Sequence, residues 1–199
     1  MSDKKSSIIT NIIIDLVNGC KENDVIVDDF DGDQSRMKNC NYLLGQVIRN
    51  YIVPEERWYI SEAALELWDS ITDADIWKYE YADKIKLTKS DVLENIGLYK
   101  GGKSTPEYTT KNRGDVIQFN DLFHDEHMVD VSTIKREIEK MNPLTPKGVK
   151  KVLDQMWMAR ILKKEDKRIS SKSGRGTNLN YIMKLYEDAE IKLIRRSEM

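Results

Sequence analysis

The tetrapeptide His124-Asp125-Glu126-His127 contains both histidines of this 199-residue chain, with two carboxylates between them. A neutral imidazole can take a proton from water near pH 7, and a carboxylate can hold a hard divalent ion. Hydrolysis of a phosphodiester needs an activated water and neutralisation of charge on the phosphate and leaving oxygen. A base beside a metal supplies both. His127 directly follows Glu126 and opens the apolar run MVDV, whose packing would hold the ring, so it is the expected general base. His124, farther back, is expected to position Glu126 or to touch the phosphate. The assignment carries a geometric condition: neighbours on a regular strand face opposite sides, so Glu126 and His127 share a cavity only from a loop or bulge. The competing reading of HDEH is a polar surface loop whose charges cap the next helix.

Other chemistries have less behind them. A zinc deaminase needs an HxE with a PCxxC, and Cys20 and Cys40 lack that spacing. Neither thiol has a local histidine for nucleophilic catalysis, and two cysteines in a chain of this length favour reduced thiols. The segment Lys100-Gly101-Gly102-Lys103-Ser104 lacks the upstream glycine of a phosphate loop and reads as a hairpin or substrate-facing loop. The acidic tract DVIVDDFDGDQ does not continue on the schedule of a calcium loop and reads as solvated.

The elements that must position HDEH lie in GDVIQFNDLFHDEHMVDVSTIKREIEKMNP. Val116, Ile117 and Phe119 suggest a short strand, a loop carries His124 to His127, and Met128 to Val131 suggest a second strand. A helix is expected from Ser132 or Thr133 through Lys140, with Ile134, Ile138 and Met141 on its buried side and Asn142-Pro143 ending it. With Glu126, His127, the strand holding Val129 and Val131 and the helix after it, the segment from Gly114 to Ile169 resembles the ββα-metal, or HNH, nuclease family. The resemblance implies His127 as general base, Glu126 as the acidic ligand before it, and a helix-borne ligand in KKEDKRI, Glu165 first and Asp166 second. It implies Mg2+ as the ion, with Mn2+ tolerating histidine more readily, and a metal-dependent DNA endonuclease of the restriction or mobile-element kind. A homodimer is one arrangement that would cut both strands. The chain departs from the family's usual Asn and His pair, and it has no CxxC pairs for a structural zinc.

Charge supports a polyanionic partner. Residues 1–142 hold 18 Lys and Arg against 27 Asp and Glu, whereas residues 143–199 hold 14 against 7. Lys163, Lys164, Lys167, Arg168, Lys172 and Arg175 are the expected contacts to double-stranded DNA. A competing resemblance covers residues 144–182, which are similar to the recognition helix and wing of winged-helix DNA-binding proteins. It implies a docked helix over Thr145 to Met158, a strand beginning at Ile161 to Lys163, a wing tip at SKSGRG with Lys172 and Arg175 on phosphate, and no catalysis.

Elsewhere, Ile8 to Val17 suggests a short helix or strand and Asn41 to Ile52 a helix, with a turn at Pro54 and a helix after Ser61 along AALELW. Strands are expected around Trp77 to Tyr81 and Ile85 to Leu87, a helix over Thr145 to Lys163, and a strand or closing helix in TNLNYIMKLYEDAEIKLI. The expected class is α+β, a mainly helical chain with a small ββα-metal-like core. It divides into a mixed, mainly helical region 1–113 and a basic region 114–199, packed as one unit. The longest early apolar stretch is cut by Asp15 and Asn18, so no membrane span is expected. MSDKKSSIIT lacks the apolar core of a secretory signal, and a cytoplasmic location is expected.

Overall fold

A computed structural model describes residues 2–27, 34–86, 97–98, 108–109, 116–169 and 175–199. The fold is α+β and mainly helical. In chain order the elements are α1 (Ser2–Val27), α2 (Gln34–Arg49), β1 (Trp58–Ser61), α3 (Glu62–Ile71), β2 (Lys84–Lys86), β3 (Gly97–Leu98), β4 (Tyr108–Thr109) and β5 (Val116–Gln118). There follow α4 (Phe119–Leu122), β6 (Phe123–His127), α5 (Val131–Glu139), α6 (Pro146–Leu153), β7 (Met158–Leu162), α7 (Lys163–Asp166), α8 (Leu179–Asp188) and β8 (Leu193–Arg195). No described helix is long and apolar enough to cross a membrane.

The chain forms two units, each drawing on both sides of position 113. The first comprises Met1–Pro54, His127–Trp157 and Ser171–Ile182. Its four main helices each bury a pair of aliphatic residues four apart: Ile13 and Val17 on α1, Leu44 and Ile48 on α2, Ile134 and Ile138 on α5, Val149 and Leu153 on α6. That spacing puts both members on one helix face, and each fully buried side chain contributes about 1.5–3 kcal/mol relative to exposure. Asp130 starts α5, two residues ahead of the expected Ser132 and three ahead of Thr133, by accepting the Thr133 N–H at 2.9 Å. Met128 and Val129 are therefore buried residues before a helix cap, not a strand. Thr145 caps α6 and Pro146 occupies its first turn, where a missing N–H costs nothing. The helix expected through Lys163 stops at Leu153.

The second unit comprises Glu55–Glu126, Met158–Ser170 and Met183–Met199. Its main sheet has the order β6-β7-β1-β8. β1 runs parallel to β7, pairing Trp58 with Met158 and Ile60 with Arg160, and antiparallel to β8, pairing Ile60 with Ile194. All five residues of β7 are buried, which is why Met-Ala-Arg-Ile-Leu lacks the alternation of a half-exposed strand and reads as helix from sequence. β5 pairs with β2 in a separate two-stranded sheet, and α4 turns the chain between β5 and β6. Asp75 caps a short 3-10 turn at Ile76–Lys78, where a strand was expected.

The core of this unit gathers Ile60, Trp68, Ile85, Ile117, Phe119, Phe123 and Leu162. Phe119 and Phe123 stack at 4.8 Å, and Trp68 meets Tyr79 edge-on at 4.9 Å. Ser61 caps α3 by accepting the Ala64 N–H at 3.1 Å. The Lys100–Ser104 loop and the aspartates of residues 28–33 lie outside the described residues.

Candidate metal centre

HDEH is strand, not loop. β6 runs continuously from Phe123 to His127, so side chains alternate between its faces. Phe123 belongs to the aromatic core and Asp125 is held by Arg160, which fixes the inner face. His124 and Glu126 share the other face, and His124 Nε2 lies 3.1 Å from Glu126 Oε2. His127 follows Glu126 with the opposite parity, so the condition placed on a Glu126–His127 pair is not met: His124 is the histidine that accompanies Glu126.

Asp166 completes the group. It sits on α7, which begins immediately after β7, the neighbour of β6 in the sheet. One ligand atom each from His124, Glu126 and Asp166 come within 4.8 Å of one another. The side chains of His124 and Glu126 are 38% and 12% exposed, so the group is open to solvent on the histidine side and sheltered on the carboxylate side. Two carboxylates and an imidazole form an oxygen-rich donor set with one nitrogen, which fits a hard or borderline divalent cation.

Glu165, the first-choice ligand from sequence, is not in the group. It is 1% exposed, and its Oε2 accepts from Ser61 Oγ at 2.5 Å and from the Leu162 N–H at 2.8 Å. Arg168 lies 3.5 Å from its other oxygen. Successive helical residues diverge by about 100°, so when Glu165 turns into the sheet its neighbour Asp166 points elsewhere.

The strands and helix around the group are β6, β7 and α7. The expected pair at 116–119 and 128–131 with a helix at 132–140 is not what surrounds HDEH: Val116 to Gln118 pair with β2, and 128–131 run into the start of α5.

Asp125 has a structural partner that the sequence did not reveal. Arg160 on β7 is 4% exposed and grips Asp125 through Nε at 2.8 Å and Nη2 at 2.9 Å. Its remaining donors reach the carbonyls of Ile76 at 2.6 Å and Tyr79 at 3.0 Å. The guanidinium lies 4.5 Å from the Phe119 ring centre and 5.2 Å from that of Trp77. A buried cation is sustainable only with this density of acceptors and ring faces. The one signal in the sequence is an arginine inside the otherwise apolar MARIL.

Of the expected DNA contacts, Lys164, Lys167 and Arg168 are exposed and Lys163 is half-buried. Lys172 and the adjoining part of SKSGRG lie outside the described residues. Arg175 is 3% exposed and donates to the Met128 carbonyl at 3.4 Å, so it serves the packing of its own unit and not a phosphate-facing surface. No family model, curated protein or solved structure matches the chain.

Proposed function

We propose that this chain is a metal-dependent endonuclease that hydrolyses phosphodiester bonds of double-stranded DNA, with His124, Glu126 and Asp166 holding the ion. The observation that carries the reading is the convergence of those three donors within 4.8 Å from two separate elements. Mg2+ is the proposed physiological ion, and the imidazole in the set favours tighter binding of Mn2+. An ion bound there supplies charge neutralisation at the phosphate and a more acidic water. The chain supplies the rest: Glu126 and Asp166 orient oxygen ligands from opposite elements, and His124 closes the set. Lys163, Lys164, Lys167 and Arg168, on and just after the helix that bears Asp166, hold the DNA backbone next to it.

The reading is tested by incubating supercoiled plasmid with the protein and either Mg2+ or Mn2+, then chelating the ion. Cleavage is expected with both ions and none with chelator, and Asp166→Asn should lower the rate about a hundredfold. A wild-type protein that binds duplex DNA and leaves it intact with both ions would overturn the reading. That result would favour a second one, a non-catalytic DNA-binding protein. Its support is the short helix α6, which exposes Lys147, Lys150 and Lys151.

A further inference from the structure

Asp166 is carried on a helix of a single turn, and an isolated turn has no stability of its own. Something must hold it. The only buried carboxylate in that turn is Glu165, and both partners of its Oε2 are backbone or side-chain donors at the sheet end: the Leu162 N–H where β7 stops, and the Ser61 hydroxyl where β1 stops. Ser61 is itself fully buried, and its Oγ also accepts the Ala64 N–H that opens α3. One hydroxyl therefore links the start of α3 to the start of α7. β1 and β7 are paired in parallel, so their ends lie side by side and the link spans adjacent strand ends.

We propose that Ser61 and Glu165 are positioning residues for the metal centre: they set the direction of Asp166 toward His124 and Glu126, and so determine metal affinity without touching the metal. This rests on the assignment of the metal to His124, Glu126 and Asp166. Without the Ser61 hydroxyl, Glu165 keeps Leu162 and Arg168, and α7 loses its tie to the end of β1. With Glu165→Gln, the side-chain carbonyl can still accept from both Ser61 and Leu162, so the direction of Asp166 is retained.

The experiment is Mn2+ titration of the full chain, with bound ion read by electron paramagnetic resonance. Thermal unfolding is followed in parallel on the same samples. Ser61→Ala is expected to weaken Mn2+ binding about tenfold or more, the scale of losing an outer partner of a metal site. Glu165→Gln should stay within about threefold of wild type, and Glu165→Ala, which also loses the Leu162 bond, should be at least as weak as Ser61→Ala. Trp68→Phe, which loses the indole bond to the Ala74 carbonyl in the same core, is the control: it should lower the melting temperature and leave the Mn2+ affinity unchanged. Should Ser61→Ala not fold, the Glu165 pair alone decides the matter.

Wild-type affinity in both Ser61→Ala and Glu165→Ala, with weakened binding in Asp166→Asn, overturns the positioning role and leaves the metal site intact. Glu165→Gln as weak as Asp166→Asn also overturns it, because the charge of Glu165 would then act as a ligand. No Mn2+ binding by wild type, or undiminished binding by Asp166→Asn, removes the metal assignment itself.

Discussion

His124 and His127 are chemically identical and three positions apart, and strand parity separates their roles. His124 shares a face with Glu126 at 3.1 Å, whereas His127 has the parity of Phe123 and Asp125. Replacing His124 by Ala should lower single-turnover DNA cleavage at saturating Mn2+ about a hundredfold, and the same change at His127 should cost less than about fivefold. The measurement reverses the proposal if His127→Ala is the more damaging. Asp125, between them, belongs to stability. Its removal leaves Arg160 charged and buried among rings, so Asp125→Ala should cost about 3 kcal/mol in urea unfolding. A loss under about 1 kcal/mol would mean that the two carbonyls and the ring faces suffice to hold the guanidinium. The residue types of the proposed metal centre stand out in the sequence, as HDEH and KKED. Which members meet does not, because it depends on whether 123–127 is strand or loop and on which side of a one-turn helix faces the sheet.

At the scale of elements, caps and i,i+4 pairs were the readable signals. Ser61 before α3 and the stop at Asn142-Pro143 both depend on neighbours within four residues, the range over which sequence patterns act. β7 was unreadable for the converse reason: a strand buried on both faces has no polar side to mark its period, and its partner β1 lies a hundred residues earlier in the chain. The Asp130 cap, which the expectation at Ser132 or Thr133 missed, permits a test of one local interaction. Burial works to raise its pKa, but hydrogen bonds from the Ser132 and Thr133 hydroxyls and the Thr133 N–H, with the Arg136 charge, outweigh it and hold the carboxyl below its ordinary 3.8. A folded-state value below the unfolded one means that the stability contributed by the charge is complete above the unfolded value and is lost as the pH falls through the folded one. Asp130→Ala should therefore cost about 1–2 kcal/mol at pH 7, and its gap to wild type should narrow in urea melts taken progressively below pH 3.8. A gap that is constant with pH would place the cost in packing and not in the charged cap.

For the whole molecule, the readable quantity was charge. The excess of Lys and Arg after residue 142 includes the exposed Lys164, Lys167 and Arg168. It also includes Arg160, buried against Asp125, and Arg175, buried on the Met128 carbonyl, so a count along the chain overstates the basic surface. Neutralising Lys163, Lys164, Lys167 and Arg168 together should flatten the dependence of log K on log salt by roughly two to four units, and weaken duplex binding at low salt, since each phosphate contact releases about one counterion. Fluorescence anisotropy with a short duplex at several salt concentrations measures this. An unchanged slope in a folded variant would remove this surface from the interface. The division of the chain into two units, in contrast, had no local signature. No linker composition marks a boundary that the chain crosses repeatedly, as at 54–55, 126–127 and 157–158.

The parallel pairing of β1 with β7 has a kinetic consequence. Trp58 cannot meet Met158 until the intervening hundred residues have closed a loop, and Ile60 needs Ile194 as well before its strand is flanked on both sides. Local helices of the α1 to α6 kind can form in microseconds, but this sheet waits on contacts remote in sequence, and its chain entropy is spent before any pairing rewards it. Ser61 and Leu162 stand at the ends of those two strands, so the turn bearing Asp166 acquires its anchor only when that remote pairing has formed. The proposed metal centre is then completed late in folding, and Mn2+ uptake during refolding should lag behind the recovery of helical circular dichroism.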